Sequence, residues 1–398
     1  MYSQVFIELH GTIVDSQSNE PLAYASVALK NKLLGTVSNQ DGSFVLKVPK
    51  NETGDTLNIT YLGYLPLQLP VKNLIDVKPK ISLELLTYFV KEISITPNAA
   101  TNLLKEVKSK IAQNYSDKPI NLKTFYRETI TENNKCIQQI EAVMEIYKNS
   151  YTLSRAADMI RILKGREKKD VAPSVLWNYI DFVDGPYEAL TSDVIKYQTN
   201  FLRVPQNQTN FLDEKNFRFY DYHLTENFNY QSQTVYLIDF KPKKKPRRGA
   251  YEGQIYIDKN TLAIIGMFYR IADDKINQVD IIDYDTRKAL MSNKIDINTI
   301  DFYCEVNYIF QNNKWYLSNI LLDYKLALYG SPDHFFSNIN TSIDMIVTEI
   351  DTVNVKPFKS DDMVEKRKSL HNQLGEQDDR FWENYNFMPI EKVEVIKK

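Results

Sequence analysis

The chain has 398 residues, which at roughly 150 residues per domain sets an expectation of two or three domains. Its 49 Lys+Arg against 51 Asp+Glu leave a net charge of -2, so no global field draws in nucleic acid and charge-based recognition would be local. A content of 43% hydrophobic and 25% charged residues excludes wholesale disorder, and two cysteines exclude a disulfide framework or a cysteine-built zinc site.

The 26 Tyr and 19 Phe against 12 Gly and three Trp point to sheet, because aromatic side chains fit pleated, half-buried surfaces. The opening Met1-Tyr2-Ser3-Gln4 passes at once into Val5-Phe6-Ile7-Glu8-Leu9. No basic start leads into an apolar stretch, and no run of about 18 apolar residues follows anywhere. Ser3 just ahead of a strand fits a mature exported chain with its starting Met restored; the alternative is a cytoplasmic chain beginning naturally at Met1.

Short apolar runs then alternate with turn signals. Strands are expected over Val5 to Val14, Tyr24 to Leu29, Gly35 to Ser38, Ser43 to Val48, Thr56 to Tyr61, Tyr64 to Val71 and Ile81 to Leu86. Asn39-Gln40-Asp41-Gly42 reads as a hairpin turn, with Gly42 free to take positive φ. Together these make a seven-stranded β-sandwich over residues 5–87.

Within it, Gly11-Thr12-Ile13-Val14-Asp15, Glu20-Pro21-Leu22-Ala23-Tyr24-Ala25-Ser26-Val27, Gly35 through Phe44 and Tyr61-Leu62-Gly63-Tyr64 stand in order. This set resembles the carboxypeptidase-regulatory-like domain, a prealbumin-like sandwich found at the start of Bacteroidota outer-membrane and periplasmic proteins, TonB-dependent receptors among them. The resemblance implies an accessory module without chemistry of its own. It also implies a periplasmic, outer-membrane-associated location.

Residues 88–120 form a connection. Tyr88 to Thr96 reads as extended up to Pro97, and Asn98 or Thr101 caps a helix running to about Tyr115. Leu103, Leu104, Val107 and Ile111 recur at helical spacing, a stripe that needs a sheet to cover.

Strand signals dominate residues 121–398. Extended stretches are expected over Leu122 to Thr131, Cys136 to Tyr147, Tyr151 to Leu163, Phe217 to Phe228, Thr234 to Phe240, Gly253 to Asp258 and Ala263 to Ile271. Asp301 to Phe310, Lys314 to Leu326 and Ile339 to Asp351 continue the series, with turns such as Glu132-Asn133-Asn134-Lys135 and Gln311-Asn312-Asn313 between pairs. The hairpins imply a large, curved, half-barrel-like antiparallel sheet, covered by short helices at Val175 to Val183 and Tyr187 to Ile195. A charged helix is expected over Asp361 to Leu374. Leu122 through Glu128, Gly253 through Asp258 and the closing Phe381-Trp382-Glu383-Asn384-Tyr385 are similar to a group of Bacteroidota proteins that follow this sandwich with a β-rich region. The hairpins with Ile-Asp before the turn resemble LolA-like lipoprotein carriers in architecture.

Candidate chemistry is sparse. His223-Leu224-Thr225-Glu226 has the His-x-x-Glu spacing of a zinc carboxypeptidase, with His334 downstream, but it sits in a strand pattern and lacks the further motifs such an enzyme needs. No Gly-x-Ser-x-Gly elbow, Gly-rich phosphate loop or dinucleotide fingerprint occurs. Cys136 and Cys304 read as small buried hydrophobes. Asp273-Asp274 and Asp280 to Asp285 lack the alternating ligands of a calcium loop and read as solvated turns. The strongest local charge feature is Lys241, Lys243, Lys244, Lys245, Arg247 and Arg248, a loop that would meet a membrane phosphate or a negative partner surface.

The expectation is therefore a mainly β (α+β) protein without catalytic residue, cofactor or metal. Its task would be cell-envelope binding: docking to an outer-membrane or periplasmic protein complex, or holding a lipid or other apolar ligand. The alternatives are a soluble accessory of a TonB-dependent transporter and a hydrolase whose site is scattered through the chain.

Overall fold

In a computed structural model, residues 6–383 are described apart from 31–33, 40, 62–63, 86–97, 154–156, 169–170, 179–184, 197–209, 231–232, 246–248, 280, 283, 331–335, 354, 367 and 377. The first seven strands are β1 (Phe6–Asp15), β2 (Ser26–Leu29), β3 (Gly35–Val37), β4 (Ser43–Pro49), β5 (Thr56–Thr60), β6 (Leu67–Pro70) and β7 (Lys80–Leu83). They form a three-stranded sheet in the order β4-β1-β7 and a four-stranded sheet in the order β3-β2-β5-β6. Side chains alternate between faces along a strand. Leu9 and Ile13, Leu46 and Val48, Val27 and Leu29, and Leu57 and Ile59 therefore all turn into one core between the sheets. The expected sandwich is present.

One corner differs. The turn at 39–42 joins β3 to β4, which belong to opposite sheets, so it is a crossing between layers and not a hairpin. Gly42 has φ of 74° there, and a Cβ on it would collide with the carbonyl oxygen of Ile13 on β1. Only glycine combines that backbone angle with so close an approach.

The extended stretch expected at 88–96 lies outside the described residues. Helix α1 (Ala99–Ser109) follows, then the single turn α2 (Ile111–Asn114). Asn98 occupies the N-cap position but makes no side-chain cap bond; the Thr101 hydroxyl donates to its carbonyl at 3.0 Å. The apolar stripe Leu103, Leu104 and Val107 is buried.

The remaining strands are β8 (Ile120–Glu132), β9 (Lys135–Lys148), β10 (Met159–Glu167), β11 (Tyr220–Tyr230), β12 (Gln233–Pro242), β13 (Tyr251–Asp258), β14 (Ile264–Ile271), β15 (Ile295–Gln311), β16 (Lys314–Gly330) and β17 (Phe336–Asp351). They make one ten-stranded sheet in the order β10-β9-β8-β17-β16-β15-β14-β13-β12-β11. Two meanders, β8 to β10 and β11 to β17, are joined by the antiparallel pairing of β8 with β17. The tight turns at Asn133 (φ 48°) and Asn134 (φ 65°), and at Asn312 (φ 49°) and Asn313 (φ 62°), hold their hairpins because Asn tolerates the left-handed region that a two-residue turn demands. The order ends at β10 and β11, so the sheet is open.

It is also strongly curled. Strands β9 and β15 stand four places apart in the order, about 19 Å on a flat sheet. Yet Lys148 of β9 and Tyr308 of β15 both reach the carboxylate of Asp193, at 2.9 Å and 2.6 Å. The inner face wraps α1 and a further helix, α3 (Gly185–Thr191), into one large core.

Two expected elements need correction. Asp361 to Leu374 is not a helix: it holds only short 3-10 turns at Ser360–Asp362 and Leu370–Gln373. The segment instead runs along β10, where the Val364 amide donates to the Ile160 carbonyl at 2.8 Å and Leu374 sits against Gly165. Conversely, the acidic stretch read as turns leads into a helix, α4 (Tyr284–Ser292), which closes on Leu290. A last short helix, α5 (Asp379–Glu383), carries the aromatic pair of the closing motif.

Candidate functional site

The two faces of the large sheet have different chemistry. On the inner face the polar groups are enclosed and satisfied. Lys148, Asp158 and Asp193 are all fully buried; Lys148 Nζ lies 3.3 Å from Asp158 and 2.9 Å from Asp193. Asp193 also accepts from the hydroxyls of Tyr151 at 2.9 Å and Tyr308 at 2.6 Å. Burial alone would push the Lys148 amine down, but Asp193 and Asp158 outweigh it and hold the ammonium charged. Burial, then the charge of Asp193, pushes the phenols of Tyr115, Tyr151 and Tyr308 well up. The same carboxylate thus ties the segment after α3 to strands on both sides of the curl. This is the arrangement of a structural clasp, in which every strongly displaced group already has its partner.

The sandwich sits on the outer face. Val37 of β3 packs with Phe125, Val143 and Ile346 of the large sheet and with Trp382 of α5. Beneath this apolar contact, Arg127 is 1% exposed, donates to Glu141 from Nε at 2.9 Å and from Nη2 at 2.7 Å, and reaches Asn39 of the sandwich at 3.4 Å. Arg166 donates to the other Glu141 oxygen at 2.6 Å, and its guanidinium lies 4.5 Å from the Trp382 ring centre. The Arg127–Glu141 pair lies within the large sheet, on β8 and β9, and holds the guanidinium where its Nη1 reaches the sandwich at Asn39.

Beside the sandwich the outer face is open. One cleft, about 600 Å³, crosses β11 to β14 and is lined among others by His223, Asp239, Lys241, Gln254, Phe268 and Arg270. A second, about 500 Å³, runs on between Tyr24 of the sandwich and Arg270, Tyr303, Asp323 and Ser342. Burial raises the Asp323 carboxyl, against the hydrogen bond from Ser342 and the charge of Lys325. Glu305, on β15 two residues from the Tyr303 that pairs with Asp323, is raised by burial although Asn307 and Tyr303 donate to it at 2.7 Å and 3.0 Å. The nearest approach to a nucleophile with a base is the Ser342 hydroxyl, which donates to the Asp323 carboxylate at 2.5 Å in the second cleft.

The basic run falls at the rim of the first cleft. Lys241, at the end of β12, lines it; Lys244 and Lys245 are exposed; Lys243 lies 3.8 Å from Asp221. Arg247 and Arg248 lie outside the described residues. His223 is an exposed residue of β11, while the side chain of Glu226 and all of His334 are outside the described residues. Among the described residues no group of three or more His, Cys, Asp or Glu is placed to hold a metal ion. Asp273 and Asp274 pair with Arg270 and Lys275 at 3.6 Å and 3.4 Å, which fits charged turns. Cys136 and Cys304 are both buried and free. No helix of the described residues is long and apolar enough to cross a membrane. Sequence reading missed the cleft itself, because its walls come from strands that meet only through the sheet order. The available signal was the alternation of polar residues on one side of β11 to β17.

Residues 9–108 match the model of the CarboxypepD_reg-like domain. The match takes in the seven strands and continues through most of α1. No curated protein matches the chain. Among solved structures, a DUF1329 family protein from Desulfovibrio piger is similar at 11% identity over 66% of this chain and 96% of that one, with a TM-score of 0.26. A LolA superfamily protein from Nitrosomonas europaea is similar at 6% identity over 67% of this chain and 97% of that one, with a TM-score of 0.21. Lipovitellin shows 6% identity over 63% of this chain and 27% of its own, with a TM-score of 0.24. Scores at this level place none of the three close to the present fold, and the CarboxypepD_reg-like domain is the one assignment drawn from the comparisons.

Proposed function

We propose that this is a non-catalytic binding protein of the cell envelope that docks to an outer-membrane or periplasmic protein complex through its outer face. The observation that carries the reading is the division of labour between the faces. The inner face is occupied by α1, α3 and the Asp193 clasp, and it holds the most displaced phenols and the buried lysine as closed pairs. The outer face carries the open clefts, the lysine rim and a CarboxypepD_reg-like domain locked in place beside them. A hydrolase would need displaced groups with free geometry inside a cleft, whereas those on the outer face, Asp323 and Tyr303, are engaged with Ser342 and Glu305. Holding an apolar ligand on the inner face would require α1 and α3 to leave a packed core, so docking is the better-supported reading. Service to a TonB-dependent transporter is one form that such docking would take.

The test is recovery of envelope proteins from detergent-solubilised outer membrane by the immobilised chain. Wild type retains a defined partner, and the triple variant Lys241→Glu, Lys244→Glu, Lys245→Glu loses it, because a like-charge contact replaces an attractive one at the rim. Equal recovery by both, or none by wild type, contradicts docking through this rim.

A further inference from the structure

The two outer-face clefts share Arg270 and adjoin where the Phe268 and Tyr303 rings stack at 6.1 Å and 23°. Together they draw on β11 through β17, seven neighbouring strands, so the groove extends across six inter-strand spacings, roughly 29 Å. Carboxylates outnumber cations in its lining, six to three, and two of those cations are paired there. Arg270 Nε donates to Glu252 at 2.8 Å, Lys325 stands 3.6 Å from Asp301, and Lys243 stands 3.8 Å from Asp221. The remaining polar groups form relays. Asp239 accepts from Gln254 at 2.7 Å, and Gln254 in turn accepts from the Tyr256 hydroxyl at 2.7 Å. Asp323 accepts from Ser342 at 2.5 Å, and turning over the Asn340 side-chain amide lets its nitrogen donate to Asp323 at 2.8 Å.

Three ligand chemistries can be compared against that lining. An apolar ligand would strip water from these paired groups and offer them nothing in return. An anionic ligand would meet this surplus of carboxylates, and a cationic one would compete with the donors and cations that those carboxylates already hold. A neutral chain of hydroxyl groups gives and takes hydrogen bonds at both members of a pair without separating them. The C–H faces of its rings would lie on the aromatic surface of Phe268 and Tyr303. We propose that this groove binds a neutral saccharide chain lying across the strands. The inference rests on reading the outer face as a binding surface, and it is independent of Lys244, of Lys245 and of the protein partner.

The experiment is calorimetric and NMR titration of the full chain with a panel of neutral hexasaccharides: α- and β-1,4-linked glucose, β-1,4-linked mannose and β-1,4-linked N-acetylglucosamine. At least one binds at one site per chain, with an affinity unchanged within about two-fold between about 50 and 500 mM salt, since no net charge is exchanged. Phe268→Leu, which keeps apolar volume and removes the ring face, weakens it about 3- to 10-fold. Gln254→Ala also weakens it, and Lys244→Glu leaves it unchanged. Thermal melts confirm that each variant is folded. Failure of the whole panel to bind overturns the inference, as does binding that neither groove variant alters. If the panel fails while the outer-membrane partner is still retained, the saccharide inference falls and the docking reading stands.

Discussion

At the scale of single residues, burial without satisfaction is what the fold avoids, and the exceptions are informative. Lys148 is fully enclosed between Asp158 and Asp193. Lys148→Met removes the ammonium that lies 3.3 Å from Asp158 and 2.9 Å from Asp193, and stability falls by about 3–5 kcal/mol in chemical denaturation, because breaking a buried ion pair leaves its carboxylates poorly compensated. Glu305 works in the other direction. Burial raises its carboxyl above the ordinary 4.5, so the folded state holds that proton more tightly than the unfolded state does. Its ionisation therefore destabilises the fold progressively as pH rises from 4.5 through the raised folded-state value. Glu305→Gln raises the melting temperature at pH 7.5, and the gain shrinks away as pH falls below 4.5; an equal gain at all pH values contradicts the assignment. Neither residue announces this role in the sequence. Lys148 ends a strand pattern like any solvated lysine, and only the curl of the sheet brings Asp193 to it.

At the scale of elements, local chemistry was legible wherever it acts through neighbours in the chain. The Asn133-Asn134 and Asn312-Asn313 turns specify their hairpins, and alternating burial specifies the strands they join. What failed was local propensity set against tertiary pairing. The charged stretch from Asp361 to Leu374 reads as helix, yet its backbone is drawn along β10 through Val364, and its Leu374 side chain fills the space that Gly165 leaves. The start of α4 is acidic and turn-like, but Leu290 gives it an apolar side to bury. The pairing of β8 with β17, which unites the two meanders, joins residues more than 200 positions apart, such as Asn121 and Asp351, and leaves no periodic trace. The closing Phe381-Trp382 motif was visible as a pattern, but its purpose was not. Trp382 is 2% exposed and seals the joint between Val37, Phe125 and Arg166. Trp382→Ala lowers stability by about 3 kcal/mol, by deletion of a large buried ring. Chemical denaturation measures the loss, and an unchanged unfolding midpoint would contradict it.

At the scale of the whole molecule, one open sheet has been given two separate assignments. Its inner face stabilises the fold with helices and a buried ionic clasp. Its outer face holds the CarboxypepD_reg-like domain at a fixed angle and leaves a long polar groove with a basic rim. The mainly β architecture, sandwich first and open antiparallel sheet after, was readable from patterning alone. The groove was not, since it exists only once β11 to β17 stand side by side. The most direct measurement of the central claim is hydrogen exchange of the intact chain with and without solubilised outer membrane. The account predicts slowed exchange in β11 to β14 and in the loop after Pro242, with α1 and α3 unchanged. Slowed exchange confined to α1 and α3 would contradict it, because the ligand would then enter from the inner face.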